Sequence, residues 1–196
     1  TQGVSSAASD VYKRQHHAIQ DMALMRTLPN TTIYAPVDAN EARNCFTSIV
    51  QGTSPSYLRL HKAGEELITA ADGAITPGIP MYVSGNRAAK RALLTTGFCG
   101  QGAHAYVQSH DDCCHYTLPA WGLRHKAYIS DFADQHDEIT IIEDHLLDGG
   151  FCSWVLESLI GTKHISKVRS KALLTETIGL VGGEDYLHQA SRLFDL

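Results

Sequence analysis

The stretch from Ile139 to Leu159 constrains the fold of this chain most, because it predicts a strand, a turn and a helix in succession. The β-branched run Ile139 to Ile142 favours a buried parallel strand. Gly149 and Gly150 favour a turn with a positive φ or a close approach that a Cβ atom would obstruct. From Phe151 the apolar residues recur every three or four positions, which indicates one face of a helix.

The rest of the chain predicts the same alternation of strands and helices. Asp38 has the character of a helix N-cap, and Glu41 stands at the spacing of a capping box. Strands that alternate with helices predict an α/β fold with a mostly parallel sheet covered by helices on both faces. The predicted helices are 18–28, 38–51, 101–109, 128–135, a helix from 151, and 184–193. The predicted strands are 31–35, 57–60, 91–96, 115–118, 139–142 and one within 164–174.

Composition narrows the class of protein. The chain has 196 residues, 43% of them hydrophobic and 19% charged, which is enough for one globular domain and part of another. A net charge of -5 gives no reason to expect nucleic acid or an anionic membrane surface as a partner. No apolar run approaches the roughly 20 residues that span a bilayer, and no signal peptide is evident. Five scattered cysteines favour free thiols in a reducing compartment, so we expect a cytoplasmic protein.

Two segments carry a resemblance to a known family. The first is HHAIQDMALMRTLPN, followed by IYAPVDANEA and YLRL, and the second is IEDHLLDGG with the helix after it. In this order they resemble the end of the pyrimidine-binding domain and the C-terminal domain of the transketolase family of thiamine-diphosphate enzymes. The likeness is greatest to the split-subunit transketolases. It implies the end of a pyrimidine-binding α/β domain at 16–64, a linker at 65–85 and a C-terminal domain at 86–196.

Residues 1–15, TQGVSSAASDVYKRQ, lack the amphipathic pattern of the rest. They stand where the family has other sequence, and they resemble a translated adapter. We therefore expect a non-native amino-terminal segment on the 3′ end of a longer gene, and exclude it from the fold.

A histidine pair is the leading candidate for catalysis. An imidazole exchanges protons near neutral pH and can hydrogen-bond a sugar hydroxyl. The resemblance assigns His16 to the substrate channel as the catalytic candidate and His17 to substrate binding. The chain departs from the family motif at Gln15, where the family has Thr, and at Gln20, where it has Glu. The alternative is a pair of surface histidines.

Arg59 is the candidate for the anionic end of a substrate. An arginine at the carboxyl end of a strand can bind phosphate or carboxylate through two hydrogen bonds. The matching family arginine is associated with the phosphate end of a sugar substrate. A domain-interface salt bridge is an equal alternative. For Arg26 a solvated charge on the helix face or a structural ion pair is favoured, and for the acidic run Glu143 to His145 structural or interfacial roles are favoured.

Two other patterns are rejected. HDDCCH at 110–115 lacks the spacing of a zinc finger, and adjacent cysteines suit a tetrahedral site poorly. Gly97, Gly100 and Gly102 follow a strand but do not complete a dinucleotide-binding fingerprint.

The resemblance implies a transfer of a two-carbon ketol unit between sugar phosphates. It also implies thiamine diphosphate and Mg²⁺ in the complete parent enzyme. Neither the cofactor-activating glutamate nor the diphosphate motif of the family is present, so we expect no complete cofactor or metal site on this chain alone. The expected partners are an N-terminal diphosphate-binding subunit or domain and further copies of the chain. The alternatives are a deoxyxylulose-phosphate synthase, a 2-oxoacid dehydrogenase β-subunit relative, or a non-catalytic assembly or regulatory module on the same fold.

Overall fold

The computed structural model describes residues 19–61, 64–180 and 184–196. The helices are α1 (Asp21–Arg26), α2 (Ala39–Gln51), α3 (Gly100–Val107), α4 (Tyr128–Asp134), α5 (Phe151–Ser158) and α6 (Glu184–Ala190). The strands are β1 (Thr32–Tyr34), β2 (Ser56–Leu58), β3 (Met81–Gly85), β4 (Arg91–Thr95), β5 (Cys113–Thr117), β6 (Ala120–Trp121), β7 (Glu138–Leu146) and β8 (Val168–Leu173). Short 3₁₀ turns occur at Gly97–Cys99, Ile165–Lys167 and Thr175–Gly179.

The larger sheet has five strands in the order β3-β5-β4-β7-β8. All of its pairings are parallel except that of β3 with β5. Strand β4 shows how both faces are covered. Ala92 and Leu94 pack in the cluster that holds α4 and α5, whereas Leu93 packs in the cluster that holds α3. The predicted α/β fold, a mostly parallel sheet with helices on both faces, is confirmed.

A smaller sheet ties the two parts of the chain together. Its order is β2-β1-β6, in which β1 and β2 are parallel and β6 is antiparallel to β1. The backbone of Ala35, just after β1, donates to Pro119 and accepts from Gly97, each at 2.8 Å. The end of β1 is thus hydrogen-bonded to the connections that follow both β4 and β5.

One apolar core runs through both segments. Met22 and Ile33, from the amino-terminal segment, share a buried cluster with Leu94 and Ile141 of the larger sheet. Three aromatic rings occupy its centre, with centroids 5.3 to 5.9 Å apart. They belong to Trp121, Phe151 and Trp154. Aromatic side chains bury the most apolar surface per residue, so these rings contribute strongly to holding the segments together.

Two strands are not predicted by the sequence. Residues 81–85 form β3, although a linker is predicted there. The prediction fails because Gly78 and Pro80 are typical of a linker, and the short strand after them lies at the edge of the sheet. Strand β6 has two residues, too few for any periodicity. It exists because β1 lies beside it.

The five cysteines are free, as predicted, and all of them are buried. Cys113 and Cys114 are consecutive on β5 and pack in different clusters, one on each face of the sheet. In the part of the chain that the structure describes, no helix is long and apolar enough to cross a membrane.

The predicted capping box opens α2, with its return hydrogen bond shifted by one residue to Val37. Asp38 Oδ1 accepts from the Glu41 backbone N–H at 2.9 Å, and the Glu41 carboxylate accepts from Val37 N–H at 2.7 Å. Asp38 Oδ2 also accepts from the backbone of Ile68 and Thr69. Burial raises the pKa of Asp38, but hydrogen bonds from Glu41, Thr69 and Ile68 outweigh it and hold the pKa below its usual value.

Asp38→Ala should lower the free energy of unfolding by about 2 to 4 kcal/mol, because it removes a helix cap and the hydrogen bonds that fix the following segment. Urea denaturation at neutral pH measures the loss. Asp72→Ala is the matched control, since Asp72 is exposed, and should fall within about 0.5 kcal/mol of wild type. Equal midpoints for the two variants would contradict this account of the cap.

Candidate functional site

An arginine and two carboxylates meet at the carboxyl end of β2. Arg59 directly follows that strand, and its backbone N–H donates to the Tyr34 carbonyl at 2.8 Å. Its Nη1 lies 2.7 Å from Asp144 Oδ1 and its Nε lies 3.2 Å from Asp21 Oδ2. The Tyr57 hydroxyl donates to the same Asp21 oxygen at 2.7 Å. Asp21, Tyr57, Arg59 and Asp144 are called the Arg59 cluster below.

The Arg59 cluster is largely desolvated. The side chain of Arg59 is 20% exposed and that of Asp144 is 7% exposed. Burial works against the charged form of both, but their attraction outweighs it: the pKa of Arg59 is raised and that of Asp144 is lowered. Both groups are therefore charged across the physiological range. Burial, reinforced by Asp21, raises the pKa of Tyr57 to about 12, so its hydroxyl stays protonated and donates.

Glu143, next to Asp144, has a different partner. Its carboxylate accepts from the backbone N–H groups of Phe151 and Cys152 at 2.6 and 2.9 Å, and so satisfies the first turn of α5. Burial raises the pKa of Glu143 to about 8, although both hydrogen bonds oppose the shift. The pKa values of Glu143 and Asp144 shift in opposite directions because Asp144 is the one that pairs directly with a cationic side chain, that of Arg59.

His145 joins β7 to α1. Its Nε2 accepts from the Ala23 backbone N–H at 3.3 Å, while its Nδ1 lies 2.7 Å from the Leu146 carbonyl. Such an arrangement requires a neutral ring with the proton on Nδ1. Burial lowers the pKa of His145 and so favours that neutral form. Each of the three residues Glu143, Asp144 and His145 therefore has a structural partner, in agreement with the role favoured from sequence.

Arg26 also makes structural contacts. Its guanidinium donates to the carbonyls of Gly149 and Gly150, each at 3.1 Å, and pairs with Glu157 on α5. Lys126 donates to the same carboxylate at 2.8 Å. Arg26 is buried, so the structural ion pair, rather than a solvated charge, is the alternative that the structure shows.

The two glycines after β7 show the two features predicted for such a turn, a positive φ and a close approach to another group. Gly149 has a φ of +74°, which favours glycine. Gly150 lies so close to Glu143 that an added Cβ would fall 2.3 Å from the carboxylate oxygen. The turn therefore brings the first turn of α5 against the buried acid.

Of the residues predicted for a site, Arg59 alone lies within the described part of the chain; His16 and His17 lie outside it. The structure shows the salt-bridge alternative for Arg59, and its carboxylate partners were not identified from sequence. Asp144 is 85 positions away, so no local pattern connects it to Arg59. Asp21 lies within HHAIQDMALMRTLPN, and the family resemblance of that segment is the sequence feature that pointed to this residue.

The two cysteines of HDDCCH have backbone partners. The thiols of Cys113 and Cys114 donate weakly to the carbonyls of His110 and Arg91. Among the residues that the structure describes, no group of three His, Cys, Asp or Glu side chains is arranged to hold a metal ion.

Comparisons with known proteins match the chain in part or over most of its length. Residues 11–64 match the family "Transketolase, pyrimidine binding domain", a match that takes in the last five residues of the segment 1–15. A 1-deoxy-D-xylulose-5-phosphate synthase from Glaesserella parasuis is 29% identical over 165 residues, 81% of this chain and 25% of that protein. A 6-deoxy-6-sulfo-D-fructose transketolase subunit from a Clostridium species is 28% identical over 102 residues, 47% of this chain and 32% of that protein.

Solved structures show the same fold. A split gene transketolase, described as an inactive beta4 tetramer, superposes with a TM-score of 0.77 at 21% identity, over 92% of this chain and 59% of that one. A transketolase from Campylobacter jejuni gives a TM-score of 0.59 at 16% identity, over 88% of this chain and 26% of that one.

The relatives that these comparisons name are transketolases and deoxyxylulose-phosphate synthases. The chain is similar to the transketolase family in residues 11–64 and in its fold. It spans about a quarter of the length of the synthase relatives it matches.

Gly150→Ala should destabilise the fold by about 1 to 3 kcal/mol, because the new methyl group overlaps the Glu143 carboxylate and the Leu146 carbonyl. Gly73→Ala is the matched control: its nearest neighbours are the ends of the Asn44 and Met81 side chains, at 3.2 and 3.3 Å, which can move. Thermal and urea unfolding of both variants measure the difference. If Gly150→Ala were as stable as Gly73→Ala, the close approach at the turn would not constrain the fold.

Proposed function

We propose that this chain forms part of a thiamine-diphosphate-dependent enzyme that transfers a two-carbon ketol unit between sugar phosphates. The observation that carries the proposal is the position of Arg59. It lies at the carboxyl end of a parallel strand pair, where ligands gather in α/β folds, and one fifth of its side chain is exposed. The resemblance assigns that arginine to the phosphate end of the substrate.

Arg59 retains the capacity to bind an anion. A guanidinium has five N–H donors. Among the described residues, Asp21 and Asp144 engage one donor on each of its three nitrogens, and the contact from Nη2 to the Asp144 carbonyl is long, at 3.5 Å. The remaining donors suit a phosphate oxygen, and charge-assisted hydrogen bonds of this kind are strong.

The roles of His16 and His17 in this proposal come from the resemblance, as contacts to the hydroxyls of the substrate. His16 precedes Asp21, a member of the Arg59 cluster, by five residues in the sequence. A histidine for hydroxyls and an arginine for an anion are the residue types that suit a sugar phosphate.

The partner and the cofactor follow from the same proposal. When bound, thiamine diphosphate supplies the carbanion chemistry, while the protein orients the substrate. The resemblance places the diphosphate and Mg²⁺ in an N-terminal subunit or domain, and we propose the same arrangement for the parent enzyme. The subunit and tetramer named for two similar proteins support a two-subunit, oligomeric parent enzyme, which we place in the cytoplasm.

A second candidate is the formation of 1-deoxy-D-xylulose 5-phosphate, since several similar proteins are synthases of that product. Both candidates can be tested in one restored enzyme. Residues 16–196 would be fused to the amino-terminal part of a split transketolase subunit and expressed with its partner. Ketol exchange between sugar phosphates supports the main proposal, deoxyxylulose phosphate supports the second, and a folded, assembled complex with neither activity contradicts both.

In that restored enzyme, Arg59→Ala should raise KM for phosphorylated sugars by about ten- to a hundredfold, because charge-assisted hydrogen bonds are lost. The rise should be much smaller for the same sugar without its phosphate. Steady-state kinetics with both substrates measure the split. The variant Arg59→Ala/Asp144→Asn is the stability control, since it leaves no unpaired buried carboxylate at position 144. Equal losses with both substrates would make Arg59 purely structural.

His16→Ala should lower kcat by about a hundredfold or more, because a group that acts near the reacting hydroxyls is removed. Single-turnover measurements at saturating substrate isolate this step. His110→Ala is the control, since His110 precedes the amino end of β5 and stacks on Tyr106. A His16→Ala enzyme with full turnover would leave the histidine pair as a surface feature.

A further inference from the structure

We propose that Asp144 and Asp21 are positioning residues for Arg59. They hold its guanidinium in the orientation that presents its remaining N–H groups to the anionic end of the substrate. The inference rests on the proposed function, in which Arg59 binds that end. It extends the function to Asp144, a residue of the C-terminal segment, where no substrate or cofactor role was expected.

The geometry points to positioning because the carboxylates of Asp144 and Asp21 bind different nitrogen atoms of the Arg59 guanidinium. Asp144 lies against Nη1 at 2.7 Å, and Asp21 lies against Nε at 3.2 Å. One comes from β7 and the other from the start of α1, so they restrain the side chain from two elements. A long side chain held in this way loses its rotamer freedom before a ligand arrives, which lowers the entropic cost of binding.

The carboxylates are themselves fixed. The Tyr57 hydroxyl donates to Asp21 at 2.7 Å. Asp144 lies inside β7 and is 5% exposed. Its neighbours Glu143 and His145 are bound to α5 and α1. These contacts fix the backbone of β7 on both sides of Asp144, and so fix the point from which its side chain reaches Arg59.

Charge repulsion by the two carboxylates changes KM in the opposite direction from positioning, and variants of Asp144 can separate the two effects. Two carboxylates around one guanidinium give the Arg59 cluster a formal charge of -1, which repels a phosphate. Asp144→Asn removes the charge but keeps an oxygen that can accept from Nη1. Asp144→Ala removes both. Positioning and repulsion thus predict different orders of KM for the two variants.

The experiment uses the restored enzyme with phosphorylated and unphosphorylated sugars. Asp144→Ala should raise KM for the phosphorylated sugar about three- to tenfold, with kcat retained and the unphosphorylated sugar little affected. Asp144→Asn should keep KM at or below the wild-type value. Glu138→Ala is the matched control, because Arg91 is also held by two carboxylates, Glu138 and Asp112, at the amino end of β4. It should leave both KM values unchanged.

A double-mutant cycle tests whether Asp144 acts through Arg59. Arg59→Ala/Asp144→Ala should have the same KM as Arg59→Ala alone. If Asp144→Ala does not fold, Asp21→Ala serves in its place, with the same expected rise in KM. A KM that falls in Asp144→Ala as it does in Asp144→Asn overturns positioning in favour of simple charge repulsion. Equal rises with both sugars overturn it in favour of a structural role.

Failure of this inference is distinct from failure of the proposed function. If Arg59→Ala raises KM for the phosphorylated sugar and Asp144→Ala does not, the proposed function stands and the positioning role falls. If Arg59→Ala leaves KM unchanged, both fall together.

Discussion

The end of β7 buries three consecutive polar residues, and the surrounding structure depends on satisfying them. A buried polar group without a partner costs free energy, and a buried unpaired charge costs more. Glu143 finds its partners in the first turn of α5, Asp144 in Arg59 after β2, and His145 in the backbone of α1. Because these partners come from three separate elements, one strand end fixes their relative positions.

The same constraint explains why the candidate site lies at a junction. Arg59 belongs to the segment that matches the pyrimidine binding domain, while Asp144 belongs to the five-stranded sheet. The antiparallel pairing of β1 with β6 and the shared aromatic core bring the two segments to a fixed separation. The ion pair of Arg59 with Asp144 thereby links the two segments at their junction.

Local features of the fold were predictable from sequence, and non-local ones were not. The capping box needs only the spacing of Asp38 and Glu41, and the strand, turn and helix around Gly150 need only neighbouring residues. Strand β6 has no signal of its own, since two residues become a strand only when β1 supplies hydrogen-bond partners. For Arg59, sequence reasoning left an anion site and a salt bridge equally open, because its carboxylate partners lie 38 residues before it and 85 residues after it.

The sequence by itself therefore determined the α/β alternation, the glycine turn and the residue types available at the strand ends, since each follows from periodicity or from the chemistry of adjacent residues. Tertiary structure alone decided which of those residues meet. Glu143 and Asp144 are adjacent acids with the same intrinsic chemistry. Glu143 caps α5 and Asp144 pairs with Arg59, because successive residues of a strand face opposite sides and contact different neighbours.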